Sequence, residues 1–108
     1  MRKNQEIYLS VDVEADGPIP GPFSMLSFAA VAFVKGSRTP IATFSAVLKR
    51  LPGAGQHPDT MAWWAQRPDA YAAATTKARP AADVMPEFCA WLKTLPGKPV
   101  FVGYPVTY

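Results

Sequence analysis

One cysteine, one histidine and no long apolar run are the first shortages of this 108-residue chain. With Cys89 alone, no disulfide framework can form within the chain, which fits a reducing cytoplasm. The longest apolar run, Phe28 to Val34, falls far short of the roughly 20 residues that a membrane-spanning helix needs. The basic start MRKNQEIYL is not followed by an apolar segment, so no signal peptide is predicted. Dense basic clusters are missing as well. The net charge of +3 is spread along the chain, and it permits a polyanionic partner without demanding one. There is no internal repeat and no sustained P-x-x-P register. A soluble cytoplasmic protein that does not enter a membrane is the expectation.

What is present points to one globular domain over residues 1–108. The chain is 49% hydrophobic and 18% charged, enough to bury a modest core. Twelve prolines, concentrated in PIPGP (18–22) and LPGAGQHP (51–58), punctuate loops. Glu6 to Glu14 reads as a strand, Met25 to Val34 as a strand buried on both faces, and Ile41 to Leu48 as an alternating strand. Short loops between them predict an antiparallel meander. Asp59 to Gln66 reads as a short helix capped by Asp59 or Thr60, and the alanine-rich Asp69 to Lys77 as another. Asp83 to Leu95 carries Val84, Phe88, Trp91, Leu92 and Leu95 at helical spacing, with Asp83 as N-cap and Pro86 in the first turn. Lys98 to Gly103 reads as a fourth strand. A right-handed helical crossover would lay it parallel to the first. The expected fold class is α/β, a mixed sheet with helices packed on it.

The stretch SVDVEADG (10–17) sets acid groups where a buried strand should be ending. Residues i and i+2 of a strand face the same way, so Ser10, Asp12 and Glu14 share one face and Leu9, Val11 and Val13 the other. Two carboxylates side by side repel, and one is pushed toward protonation unless a cation sits between them. A hard cation such as Mg²⁺ or Mn²⁺ answers that need with oxygen ligands. A solvated strand edge is the plainer alternative. DVEADG also nearly matches the start of an EF-hand loop. Counting from Asp12, however, the twelfth position is Phe23 rather than Glu, prolines fill the interval, and the preceding flank is a strand.

The D-x-E pair on a first strand, a glycine shortly after and a β-β-β-α-β order resemble the DnaQ-like (DEDD) 3'-5' exonucleases of the ribonuclease H-like fold. VDVEADGPIPGPFSMLSFAAVAF is similar to that family's first exonuclease motif with a proline-rich insertion, and TMAWW to a bacterial branch with tandem tryptophans. The resemblance implies metal-dependent hydrolysis at the 3' end of single-stranded RNA or DNA by a two-metal site. It makes Asp12 and Glu14 metal ligands and catalytic residues, with Asp12 bridging the two ions, and it brings the backbone near Gly17 toward the terminal nucleotide. It also requires an Asp from a second motif, and an Asp with a His or Tyr from a third. No Asp follows Val100 and no later His exists. The chain is therefore expected to be the truncated N-terminal part of such a domain, with little or no nuclease activity alone. A truncated sheet exposes apolar surface, which predicts self-association.

Two other functions compete with this one. The first is a non-catalytic nucleic-acid-binding or scaffold domain of the same fold. The second is a divalent-cation-binding protein of unrelated fold. Among the remaining residues, Trp63 and Trp64 point about 100° apart on a helix. Core packing is the plainer role for both, and one free to stack on a base is the alternative. His57 reads as a loop residue, Asp16 as part of a turn with Gly17, and Cys89 as a core thiol. Arg67, Lys77 and Arg79 read as solvated cations that could touch phosphates.

Overall fold

The computed structural model describes residues 5–102. Strand β1 (Glu6–Ala15) pairs antiparallel with β2 (Met25–Val34), which pairs antiparallel with β3 (Ala42–Val47). A crossover of three helices follows: α1 (Pro58–Ala65), α2 (Pro68–Thr75) and α3 (Ala81–Lys93). The chain then returns as β4 (Lys98–Val102), parallel to β1, and the sheet order is β3-β2-β1-β4. This is the mixed sheet that the patterning predicts. Gly103, the expected end of the last strand, lies outside the described residues.

The odd-numbered residues of β1 form the core face. Ile7 and Leu9 are fully buried, with Val11 packed beside them, while Ser10 and Asp12 on the other face are exposed. Strand β2 alternates in the same way: Leu26, Phe28, Ala30 and Ala32 are buried and the residues between them are half-buried. The expectation that β2 is buried on both faces is thus corrected, because the crossover helix α3 covers only one face. Its residues Val84, Phe88 and Trp91 recur at i, i+4 and i+7 and make one apolar stripe. Phe88 meets Phe28 edge-on at 5.1 Å and Phe44 at 5.2 Å. Cys89, one position on from Phe88, turns away from the stripe and is exposed. It is not a core thiol.

The helix starts also differ from expectation. α1 opens at Pro58 after His57, and α3 opens after Pro80; neither first turn has a side-chain cap. Proline supplies the fixed φ at or just before each start in place of an Asp or Thr oxygen. Pro86 then falls in the body of α3 instead of its first turn, where it forgoes an internal hydrogen bond. The stripe of apolar contacts holds the helix across that gap.

The β1–β4 pairing begins at a close backbone approach. Lys98 N donates to Gln5 O at 2.7 Å, and a Cβ on Gly97 would stand 2.3 Å from that same carbonyl oxygen. Gly97→Ala should therefore destabilise the chain by about 1–3 kcal/mol, the usual cost of overpacking, read as a lower urea midpoint. An unchanged midpoint would show that the two strands can part without cost.

Candidate functional site

Asp12 and Glu14 project from the uncovered face of β1, toward its end. Their neighbours across the ladder are small, Ala29 opposite Asp12 and Ser27 opposite Glu14. Ser45 and Val47 of β3 continue that row. The register shifts between Glu14 and Ala15, a bulge of the kind that often re-aims side chains beside a site. The last turn of α2 and the segment after it supply a second wall with Ala73, Thr76, Lys77 and Arg79. Together these groups line an open cavity of about 460 Å³.

Glu14 is half-buried and Asp12 exposed. Burial raises the Glu14 carboxyl above the usual glutamate range, and the Asp12 charge raises it further. A raised carboxyl binds its proton more readily in the folded chain than in the unfolded one. The resulting penalty is absent below the ordinary glutamate range and grows as pH rises through the raised value. Glu14→Gln should therefore stabilise the metal-free chain slightly at neutral pH, and the gain should vanish on acidification. Urea midpoints of both chains across pH check this, and a gain that persists in acid would count against a charge effect.

The opposite wall is cationic, and its two cations differ. Arg79 is committed to Glu87: Nη1 donates to Oε1 at 3.1 Å, and Nη2 pairs with Oε2. Its backbone is tied to the end of β3, with Arg79 N donating to Val47 O and Lys49 N to Arg79 O, both at 2.9 Å. Lys77 has a φ of 58°, the left-handed region, which costs a side-chain-bearing residue about 1 kcal/mol or more. Helix α2 ends at Thr75, and the expected helix to Lys77 is cut short by that left-handed turn.

Beyond Glu14 the chain enters a tightly held loop. Asp16 is fully buried, with Arg50 Nε 2.9 Å from its Oδ2, although neither carboxylate oxygen accepts a well-directed hydrogen bond among the described residues. Asp16 N donates to Ser24 O, and His57 N donates to Asp16 O, both at 2.9 Å. Asp16 is thus more than the turn residue that the sequence suggests. Gly17 is buried against Phe23, whose Cγ would lie 2.2 Å from an added Cβ. His57 sits edge-on to Phe23 at 5.6 Å, and its Nδ1 is buried without a partner among the described residues.

The tandem tryptophans separate. Trp64 is buried against Leu26 and donates from Nε1 to Ala15 O at 3.1 Å, which joins α1 to the end of β1. Trp63 is 46% exposed, with the Arg67 guanidinium 4.1 Å from its ring centre. Core packing holds for one of the pair and not for both.

Among the described residues, no group of three or more His, Cys, Asp or Glu side chains is placed to hold a metal. Two carboxylates on one face, with Glu14 raised toward protonation by burial and by the Asp12 charge, suit a hard divalent cation but supply only part of its shell. No described helix is long and apolar enough to cross a membrane.

No family model matches the chain. A 50-residue stretch is 54% identical to the 3'-5' DNA exonuclease Cap18 of Escherichia coli, covering 45% of this chain and 24% of that protein. The resemblance to the DnaQ-like exonucleases holds. The fold agrees with that of the cell-death related nuclease CRN-4, with a TM-score of 0.62 and 20% identity over 90% of this chain and 34% of that one. The architecture is accordingly the ribonuclease H-like fold, a mixed sheet with β4 parallel to β1. The chain spans about a third or less of the length of either of these proteins.

Sequence reasoning put the carboxylates on one face but treated Lys77 and Arg79 as scattered charges. No local signal marks them, because the backbone bonds to β3 that carry them to the cavity are long-range.

Proposed function

We propose that the chain is the N-terminal part of a metal-dependent 3'-5' exonuclease domain, with Asp12 and Glu14 as metal-binding catalytic carboxylates. The observation that carries this reading is their adjacency on the uncovered face of β1, where they repel each other beside an open cavity. Mg²⁺ or Mn²⁺, when bound, would supply charge neutralisation and activate water for phosphodiester hydrolysis. Asp12 and Glu14 are the residues that would hold the cation. The Gly17 backbone and Trp63 are assigned to the side on which the 3'-terminal nucleotide of a single strand approaches, while buried Trp64 serves the core. Exposed Trp63 is the one able to stack on a base. DNA is favoured over RNA, since the curated relative is named a DNA exonuclease.

Two carboxylates alone hold such a cation weakly. The 108-residue chain is therefore expected to bind Mn²⁺ only on the order of millimolar, near the weakest range of natural oxygen-ligand sites, and to cleave little by itself. Mn²⁺ should raise its melting temperature by mass action. A melting temperature indifferent to Mn²⁺ would sink this reading. A non-catalytic nucleic-acid-binding domain of the same fold is the second reading, favoured by the lack of a third ligand among the described residues. It predicts oligonucleotide binding that is insensitive to the metal.

A further inference from the structure

Most cations around the site are already spoken for. Arg79 is paired with Glu87, Arg50 with Asp16, and Arg67 lies over Trp63. Lys77 differs. It lines the cavity opposite Asp12 and Glu14 and has no ion pair among the described residues. Its φ of 58° belongs to the conformation that glycine or asparagine commonly supplies just after a helix end. The segment around it is fixed on both sides. Thr76 N donates to Ala72 O at 2.9 Å, and Arg79 N donates to Val47 O at 2.9 Å. A strained, charged residue held rigidly at a cavity rim is a pattern that recurs at ligand sites.

We infer that Lys77 is a substrate-binding residue that contacts a backbone phosphate of single-stranded nucleic acid across the cavity from Asp12 and Glu14. This rests on the exonuclease reading and adds to it the group that receives the strand. The physical need is specific. Two carboxylates repel a phosphodiester, and bound cations offset that only at the metal-facing oxygens. An ammonium carried on the anchored backbone of the opposite wall holds the neighbouring phosphate as a point charge. Arg79 is already engaged by Glu87, which leaves Lys77, among the described residues, as the unpaired cation lining the cavity.

The left-handed backbone allows a clean test. Lys77→Gly removes the cation while relieving the backbone, so melting temperature should stay the same or rise. Binding of a short 5'-labelled single-stranded DNA to the full chain in Ca²⁺ would be followed by fluorescence anisotropy across salt concentrations. Lys77→Gly should weaken binding severalfold and lower the salt slope by about 0.7, the value for one lost phosphate contact on a single strand. Lys77→Arg should keep the slope. If Lys77→Gly binds as the unaltered chain does, the inference about Lys77 is overturned and the exonuclease reading stands. If the unaltered chain binds no oligonucleotide in Ca²⁺, both fall.

Discussion

Asp12→Asn should abolish the Mn²⁺-induced rise in melting temperature while leaving the fold intact. The substitution keeps the side chain's shape and removes its charge on an exposed strand position beside small neighbours. Losing even an outer-shell partner costs a metal site roughly 10–100-fold, so losing a direct ligand should cost at least that. Where binding is already weak, such a loss takes the site out of reach. Asp12→Asn should also return the Glu14 carboxyl toward its ordinary range, since the Asp12 charge is one of the two causes of its displacement. Asp69→Asn, at an exposed position in the first turn of α2, serves as the control and should leave the metal response unchanged. Equal Mn²⁺ responses in the unaltered chain and Asp12→Asn would place the metal elsewhere.

Arg50→Met should destabilise the chain by about 3 kcal/mol. Asp16 is fully buried at the exit of β1, and Arg50 is its counter-charge. Removing one partner of such a pair leaves an uncompensated buried carboxylate, for which about 3–5 kcal/mol is typical. The Arg50 side chain is 45% exposed, which argues for the lower end. The pair also anchors a wider join. Arg50 Nη2 donates to the Tyr71 hydroxyl of α2 at 3.1 Å, and Leu51 N donates to Ser24 Oγ at 2.8 Å. Against a total stability of some 5–15 kcal/mol, the loss would be plain in a urea titration. Adding Asp16→Asn to Arg50→Met should recover part of it. A loss under about 1 kcal/mol, with no recovery in the double variant, would reduce the pair to an ordinary surface contact.

The parts of the molecule legible in the sequence are those written in short periods. Alternation in 6–14 and the apolar stripe Val84, Phe88 and Trp91 gave the strand, the helix and the face on which Asp12 and Glu14 stand. What escaped depends on distant partners. Asp16 looks like a turn residue until Arg50, far along the chain, is brought to it. Pro58 and Pro80 displaced the expected caps, since a fixed φ can start a helix without a side-chain acceptor. The position of Lys77 depends on backbone bonds to β3, and its left-handed turn has no signature in TTKAR. Trp63 and Trp64 could not be told apart because adjacency on a helix leaves open which faces the sheet.

The parallel pairing of β1 with β4 joins the two ends of the described chain, with the Gln5 side chain donating to Pro96 O across 91 positions. Within the sheet, the neighbours of Asp12 belong to the β1–β2–β3 meander and are close in sequence. Closing so long a loop costs entropy before any contact rewards it, so β4 should dock after the meander has formed. Gly97→Ala, which disturbs only that last join, should then speed unfolding and leave the folding rate almost unchanged. The carboxylate pair would be set in place early, on a ribbon whose final strand is still free.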